Sequence, residues 1–207
     1  IIQKNILESK NVLFEGDGYS MEWHHEAERR GLPNVPTTPL ALDAMITEKA
    51  MKLFDDNNVY KPIELLARHE IELENYIKKI QIEGRVMGDL AINQILPLAV
   101  KYQKTVVDNI KGLKEIGLPE TAWSSQLKIV ESLSSHIETV YATVFEMIQK
   151  RKEVNQIHNS RTKAIAYCSQ VKEAYFETIR YHIDKLELLV DDAHWRLPKY
   201  REMLFIR

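Results

Sequence analysis

The stretch PIELLARHEIELENYIKKIQIEGRVMGDLAINQILPLAVKYQKTVVDNIKGLKEIG, residues 62–117, decides the fold. Apolar or small residues recur at Leu66, Leu73, Ile77, Ile80, Gly84, Met87, Ala91, Ile95, Leu98, Tyr102, Val106, Ile110 and Leu113. Gaps that alternate between three and four keep one stripe on one helix face. Pro62 suits a first helical turn, where its missing N–H has no partner to lose, and Gly117-Leu118-Pro119 is a stop signal. Between them Pro97 removes a hydrogen bond and crowds the preceding turn, so the rod is expected to bend there. At a rise of about 1.5 Å per residue, about 55 residues span roughly 80 Å. A rod of that length needs partners of similar length, and the sequence supplies two.

The second opens at Pro119 or Glu120 and carries Trp123, Leu127, Val130, Leu133, Ile137, Val140, Val144 and Ile148 on one face. After a turn near His158-Asn159-Ser160, with Asn159 or Ser160 as cap, the third carries Ala164, Cys168, Val171, Tyr175, Ile179, Ile183, Leu186 and Val190. Short connections imply antiparallel packing. Gly84 and Gly88 inside the first rod each cost about 1 kcal/mol against alanine, which points to a close helix approach or a local bend.

Upstream, Ile1 to Glu8 reads as closing turns of a helix, and with no initial Met the chain is read as a piece of a longer protein. Val12-Leu13-Phe14 reads as an extended apolar run. Glu15-Gly16-Asp17-Gly18-Tyr19 is a tight turn, with neither a Walker lysine nor Gly-x-Gly-x-x-Gly spacing. Ser20 caps a short helix to Arg30 with Gly31 at its C′ position, and Leu32–Pro39 is a rigid connector. Thr38 then caps one helix from Pro39 to about Asp55. The tail from Trp195 to Arg207 carries several large apolar side chains and is expected to dock.

Composition narrows the function classes. With 44% hydrophobic residues in 207, the chain can bury a core, and a net charge of -2 gives no field that would steer it to nucleic acid or an anionic membrane. The single cysteine, Cys168, excludes an internal disulfide and lies on an apolar stripe as a buried thiol, in keeping with a reducing compartment. No apolar run approaches the roughly 18–20 residues of a membrane span.

Chemical motifs are sparse. A di-iron bundle needs two Glu-x-x-His pairs, and only Glu22-Trp23-His24-His25 contains the spacing. His69, His136 and His182 share no helix at a spacing of three or four, as ligation from one face favours. Glu70, Glu72, Glu74 and Glu83 are candidate general acids, but Glu70 and Glu74 with Lys78 form ordinary neighbours on a helix surface. Lys150-Arg151-Lys152 with Arg161 and Lys163 reads as a solvated helix end. Neither a catalytic, a cofactor-binding nor a metal-ligating residue is assigned.

Both ends and the rod nevertheless resemble one family. Phe14-Glu15-Gly16-Asp17-Gly18-Tyr19-Ser20 with Trp23, Glu26-Ala27-Glu28-Arg29-Arg30-Gly31-Leu32 and Thr37-Thr38 resemble the start of the C-terminal region of type III glutamine synthetases. Arg68, Glu70, Glu74-Asn75-Tyr76, Ile82-Glu83, Ile95-Leu96-Pro97 and Tyr102-Gln103 are similar to its helical region. Val190-Asp191-Asp192, Trp195 and Leu197-Pro198-Lys199-Tyr200-Arg201-Glu202-Met203-Leu204-Phe205 resemble its C-terminus. Glu15, His24-His25 and Ala193-His194 depart from the family's pattern.

The resemblance implies a cytoplasmic bacterial glutamate–ammonia ligase that uses ATP with Mg or Mn and assembles as stacked rings. Its catalytic core lies upstream, so this segment is expected to be inactive alone and to have an assembly role. The alternatives are a stand-alone helical protein-docking module and a bundle metalloenzyme. The expected architecture is all-α: residues 1–61 form short helices and a glycine turn continuing from an upstream catalytic domain. Residues 62–196 form an antiparallel bundle whose first helix kinks near Pro97, and 197–207 a docking tail. Expected partners are the catalytic domain and further copies in a homo-oligomer, with neither nucleic acid nor membrane.

Overall fold

The structure, a computed structural model, describes residues 2–10 and 13–204, with the side chains of Tyr200 and Arg201 left aside. Val12 of the extended run and Phe205-Ile206-Arg207 of the tail lie outside the described residues. The chain divides into two compact units, residues 1–66 and 67–207. The described residues are all helix, turn and loop, with no strand.

The first unit is a series of short helices: α1 (Ile2–Glu8), α2 (Met21–Arg29), α3 (Thr38–Leu42) and α4 (Glu48–Asp56). As expected, Ser20 caps α2, its hydroxyl accepting from the Trp23 N–H at 3.3 Å. Gly31 ends it at φ 67°, and the Leu32 N–H reaches back to the Ala27 carbonyl at 2.9 Å. The expected single helix from Pro39 to Asp55 is corrected. Thr37 is the N-cap of α3, a 3₁₀ turn follows at Asp43–Ile46, and Thr47 starts α4 by accepting from the Ala50 N–H at 3.2 Å. A threonine mid-pattern offers the backbone a cap, and here the cap wins over continuity.

The second unit is an antiparallel bundle of three rods. The first runs through α5 (Pro62–Leu90), a π-helical turn at Ala91–Ile95 and α6 (Leu96–Glu115). Gly117, at φ 80°, then closes the rod, with the Leu118 N–H bonding the Leu113 carbonyl at 3.1 Å. The second rod is α7 (Ser124–Asn155), preceded by a 3₁₀ turn at Glu120–Ala122. The third comprises α8 (Ser160–Ala166), capped by Asn159, a π-helical segment at Tyr167–Phe176 and α9 (Glu177–Leu189). α7 packs against α6, α8, α9 and both π segments. Leu73, Ile80, Leu133, Val140, Val144, Met147, Val171, Ile179 and Leu186 fill the core.

The π turns reset the stripes. The Leu96 N–H bonds the Ala91 carbonyl five residues back, so the widening sits in the turn before Pro97, where the proline ring would meet an ordinary α-helical carbonyl. Leu96 and Ala99 are then buried, whereas Leu98 is only half-buried. Two stripe residues are corrected at the ends, where Leu66 is 45% and Leu127 37% exposed, while Leu65 is buried. The glycines do mark close approach. A Cβ at Gly88 would stand 3.5 Å from Val144 Cγ1, and one at Gly84 would stand 3.5 Å from the Phe176 ring. Those are ordinary van der Waals distances, so an alanine methyl fits at either position.

A strap at residues 191–199 folds back on the bundle, placing the His194 ring 6.0 Å from that of Tyr102. Lys199 Nζ bonds the Glu187 carbonyl at 3.3 Å and pairs with Asp192. The short helix α10 (Tyr200–Met203) follows.

Candidate functional site

Where the rods cross, polar side chains gather in small, separate groups. The largest ties three helical segments together. Gln81 Nε2 on α5 donates to Asn155 Oδ1 at 2.8 Å and to the Tyr167 hydroxyl at 3.1 Å, and that hydroxyl donates to Asn155 Oδ1 at 2.7 Å. Tyr167 is fully buried, and its burial raises the hydroxyl above the usual tyrosine range. A satisfied buried network of this kind fixes register and does no proton chemistry near neutral pH.

Close by, Cys168 donates to Glu173 Oε1 at 3.4 Å, and burial pushes its thiol up, as it does the Tyr76 hydroxyl. A thiol held protonated is a poor nucleophile, so the cysteine is a packing residue. Arg151 departs from the solvated helix end expected of its run. Its neighbour Lys150 pairs with Glu153 at 2.7 Å on the surface, but Arg151 turns inward, its stem lying over Gly84.

His136 on α7 and His182 on α9 meet across the bundle with Nδ1 atoms 2.8 Å apart. One Nδ1 donates and the other accepts, so the two rings form a complementary donor and acceptor across the bundle. Burial, then the charge of His182 and of Lys185, lowers the His136 pKa. A search for spacing within one helix could not find a pair that forms between two.

The other singled-out residues stay apart. His69 is buried on α5. On exposed positions of the same helix, Glu70 accepts from the Ser160 hydroxyl and Glu74 pairs with Lys78 at 3.6 Å. His24 on α2 contacts Asn34 at 2.6 Å. The glycine turn is a tight turn, as read: Asp17 Oδ1 accepts from the Tyr19 N–H at 2.9 Å, and the Asp17 carbonyl from the Ser20 N–H at 3.1 Å. Neither Gly16 nor Gly18 uses a positive φ, and the Phe14 ring covers Gly16 while stacking 4.9 Å from Trp23. Glu26 on α2 is held by Arg29 and Arg30, whose hydrogen bonds bring its pKa down to about 2.

Among the described residues two sizeable cavities open on the bundle. One, of about 590 Å³, is an apolar groove lined by Ile82, Val86, Leu90, Phe176, Trp195 and Leu197 among others. The other, of about 480 Å³, lies beside the π turn of the first rod and has a mixed polar and apolar lining. Among the described residues no group of three or more His, Cys, Asp or Glu is placed to hold a metal ion, and no helix is long and apolar enough to cross a membrane.

An antiparallel bundle of long helices tied by register-setting polar knots is by class an all-helical domain. The glutamine synthetase C-terminal domain family matches residues 1–114, more than half of the chain, and the chain belongs to that family. It is similar over its whole length to curated relatives. It is 41% identical to a glutamine synthetase of Bacteroides fragilis, of which it covers 29%, and 34% identical to a type-3 glutamine synthetase of Dictyostelium discoideum, of which it covers 28%. A glutamine synthetase of Butyrivibrio fibrisolvens is 29% identical over 99% of the chain and 29% of that protein. The chain therefore spans less than a third of the length of these relatives.

Proposed function

We propose that this chain is the architectural C-terminal part of a type III glutamine synthetase, a cytoplasmic homo-oligomer that joins ammonia to glutamate with ATP and Mg or Mn. The observation that carries this reading is the alignment of the entire chain with about three-tenths of two proteins named glutamine synthetase, one of them type-3. Catalysis belongs to the rest of the enzyme. Among the described residues no group of three or more His, Cys, Asp or Glu is placed to hold a metal ion, and the reading assigns the metal, the nucleotide and the catalytic step to that other part.

Its work is contact. Ile71, Ile82 and Val86 lie on one face of α5, each more than half exposed, and Ile82 and Val86 border the apolar groove. Such a stripe suits burial against the catalytic part or a neighbouring subunit.

The test has two arms. The 207-residue chain alone is expected to show no glutamate- and ammonia-dependent ADP formation, and activity there refutes the assignment. Deleting the matching region from the Bacteroides fragilis enzyme is expected to abolish both activity and the large assembly. An unchanged solution mass and rate would make the bundle an accessory.

A further inference from the structure

We propose that the cavity beside the π turn of the first rod is a binding site for a small oxyanion, a phosphate or carboxylate group carried by a free metabolite. The cavity holds about 480 Å³, a size suited to a small molecule, and draws on two distant stretches of chain. The first rod contributes Asn93, Gln94 and Lys101 about the turn at Ala91–Ile95, and the strap contributes His194 and Arg196.

The chemistry of the lining is one-sided. Among the described residues two cations and two carboxamides line the space, with Pro97, Leu98 and Ala193 beside them, and no carboxylate does. Among the described residues no carboxylate forms an ion pair with Lys101 or Arg196. The acidic side chains nearest in sequence each already have a donor. Asp89 accepts from the Asn93 amide, Asp191 from the Ala193 N–H at 2.7 Å, and Asp192 from Lys199. His194 adds its ring to the wall, with Nδ1 itself buried away from the open space. The ligand this lining fits is an oxyanion. Arg196 offers a planar fork, Lys101 a point charge, and the amides of Asn93 and Gln94 neutral donors. The π turn makes the room: single π turns inside α-helices recur at functional sites because they push side chains out of the regular register.

This site owes nothing to the glutamine synthetase reading, and its test is separate. Inorganic phosphate and glutarate are titrated calorimetrically into the 207-residue chain, with the His194 ring C–H signals followed by NMR. Saturable binding of at least one probe at millimolar concentration or below is expected, with a shift of the His194 signals. Phosphate alone would mark a phosphoryl ligand, and glutarate alone a carboxylate. Lys101→Gln and Arg196→Gln, both at exposed positions, are expected to keep the circular dichroism spectrum and melting temperature of the parent without ligand. Each should weaken binding by about tenfold or more, since a charge-assisted hydrogen bond is lost. Lys104→Gln, whose lysine pairs with Asp108 at 2.5 Å, should leave it unchanged. Absence of binding by both probes, or parental affinity in both site variants, overturns the proposal.

Discussion

The first and third rods each contain a π-helical interruption, and the two arise differently. In the first, five residues at Ala91–Ile95 precede Pro97, so covalent chemistry announces the break. In the third, ten residues at Tyr167–Phe176 contain neither proline nor glycine. What lies beside that segment is tertiary: Tyr167 is knotted to Gln81 and Asn155, and Phe176 lies against the Gly84 backbone. One discontinuity is written in a residue, the other in the partners that residues find after folding. Local sequence can reveal only the former.

Removing the tertiary support separates the two most sharply. Asn155→Ala deprives Gln81 and Tyr167 of a shared acceptor and should cost about 1–3 kcal/mol by chemical denaturation. Amide exchange should quicken across 167–176 and stay unchanged at 91–95; equal acceleration in both rods would erase the distinction. Pro97→Ala probes the other side. Because the π turn already accommodates the proline at the start of α6, the gain should be below about 1 kcal/mol, against about 3 kcal/mol for relief of a strained mid-helix proline. A gain near the larger figure would mean the turn does not relieve the clash.

Gly88→Ala asks whether α5 and α7 are as close as glycine permits. With the added methyl at 3.5 Å from Val144, the variant should be more stable by about 0.5–1 kcal/mol, and a loss would show a tighter crossing. Acidification should have the smallest effect, centred on one half-buried ring. The His136 pKa lies below its ordinary 6.5, so the unfolded chain takes up the proton first. The stability this group contributes is therefore complete above pH 6.5 and is lost as pH falls through 6.5 toward the folded value. His136→Phe should flatten that part of the melting profile; an unchanged slope would remove the pair as its source.

Much of the fold was readable because it is periodic and punctuated. Three stripes, the caps at Ser20 and Asn159 and the stops at Gly31 and Gly117 all act over one or two turns, a range that sequence spacing captures. The departures have tertiary causes. Met147 fills the space over Gly88, yet it sits off the expected stripe, and the exposure of Leu66 and Leu127 depends on where the packing of each rod begins. The candidate anion site was less legible still. Lys101 and Arg196 are 95 positions apart in sequence and meet only because a strap returns to the turn beside Pro97. His194 stood out in the sequence as a departure from a family pattern, with nothing to say what it would face.

That strap has a consequence for the order of events during synthesis. A ribosome delivers the first rod, then α7 and then the third rod, and each hairpin can zip against its predecessor from local contacts. The wall formed by Ala193, His194 and Arg196 cannot exist until nearly a hundred further residues have followed the π turn out. Nascent chains stalled before that wall would carry the bundle without the cavity, so a ligand able to bind there would distinguish finished chains from unfinished ones.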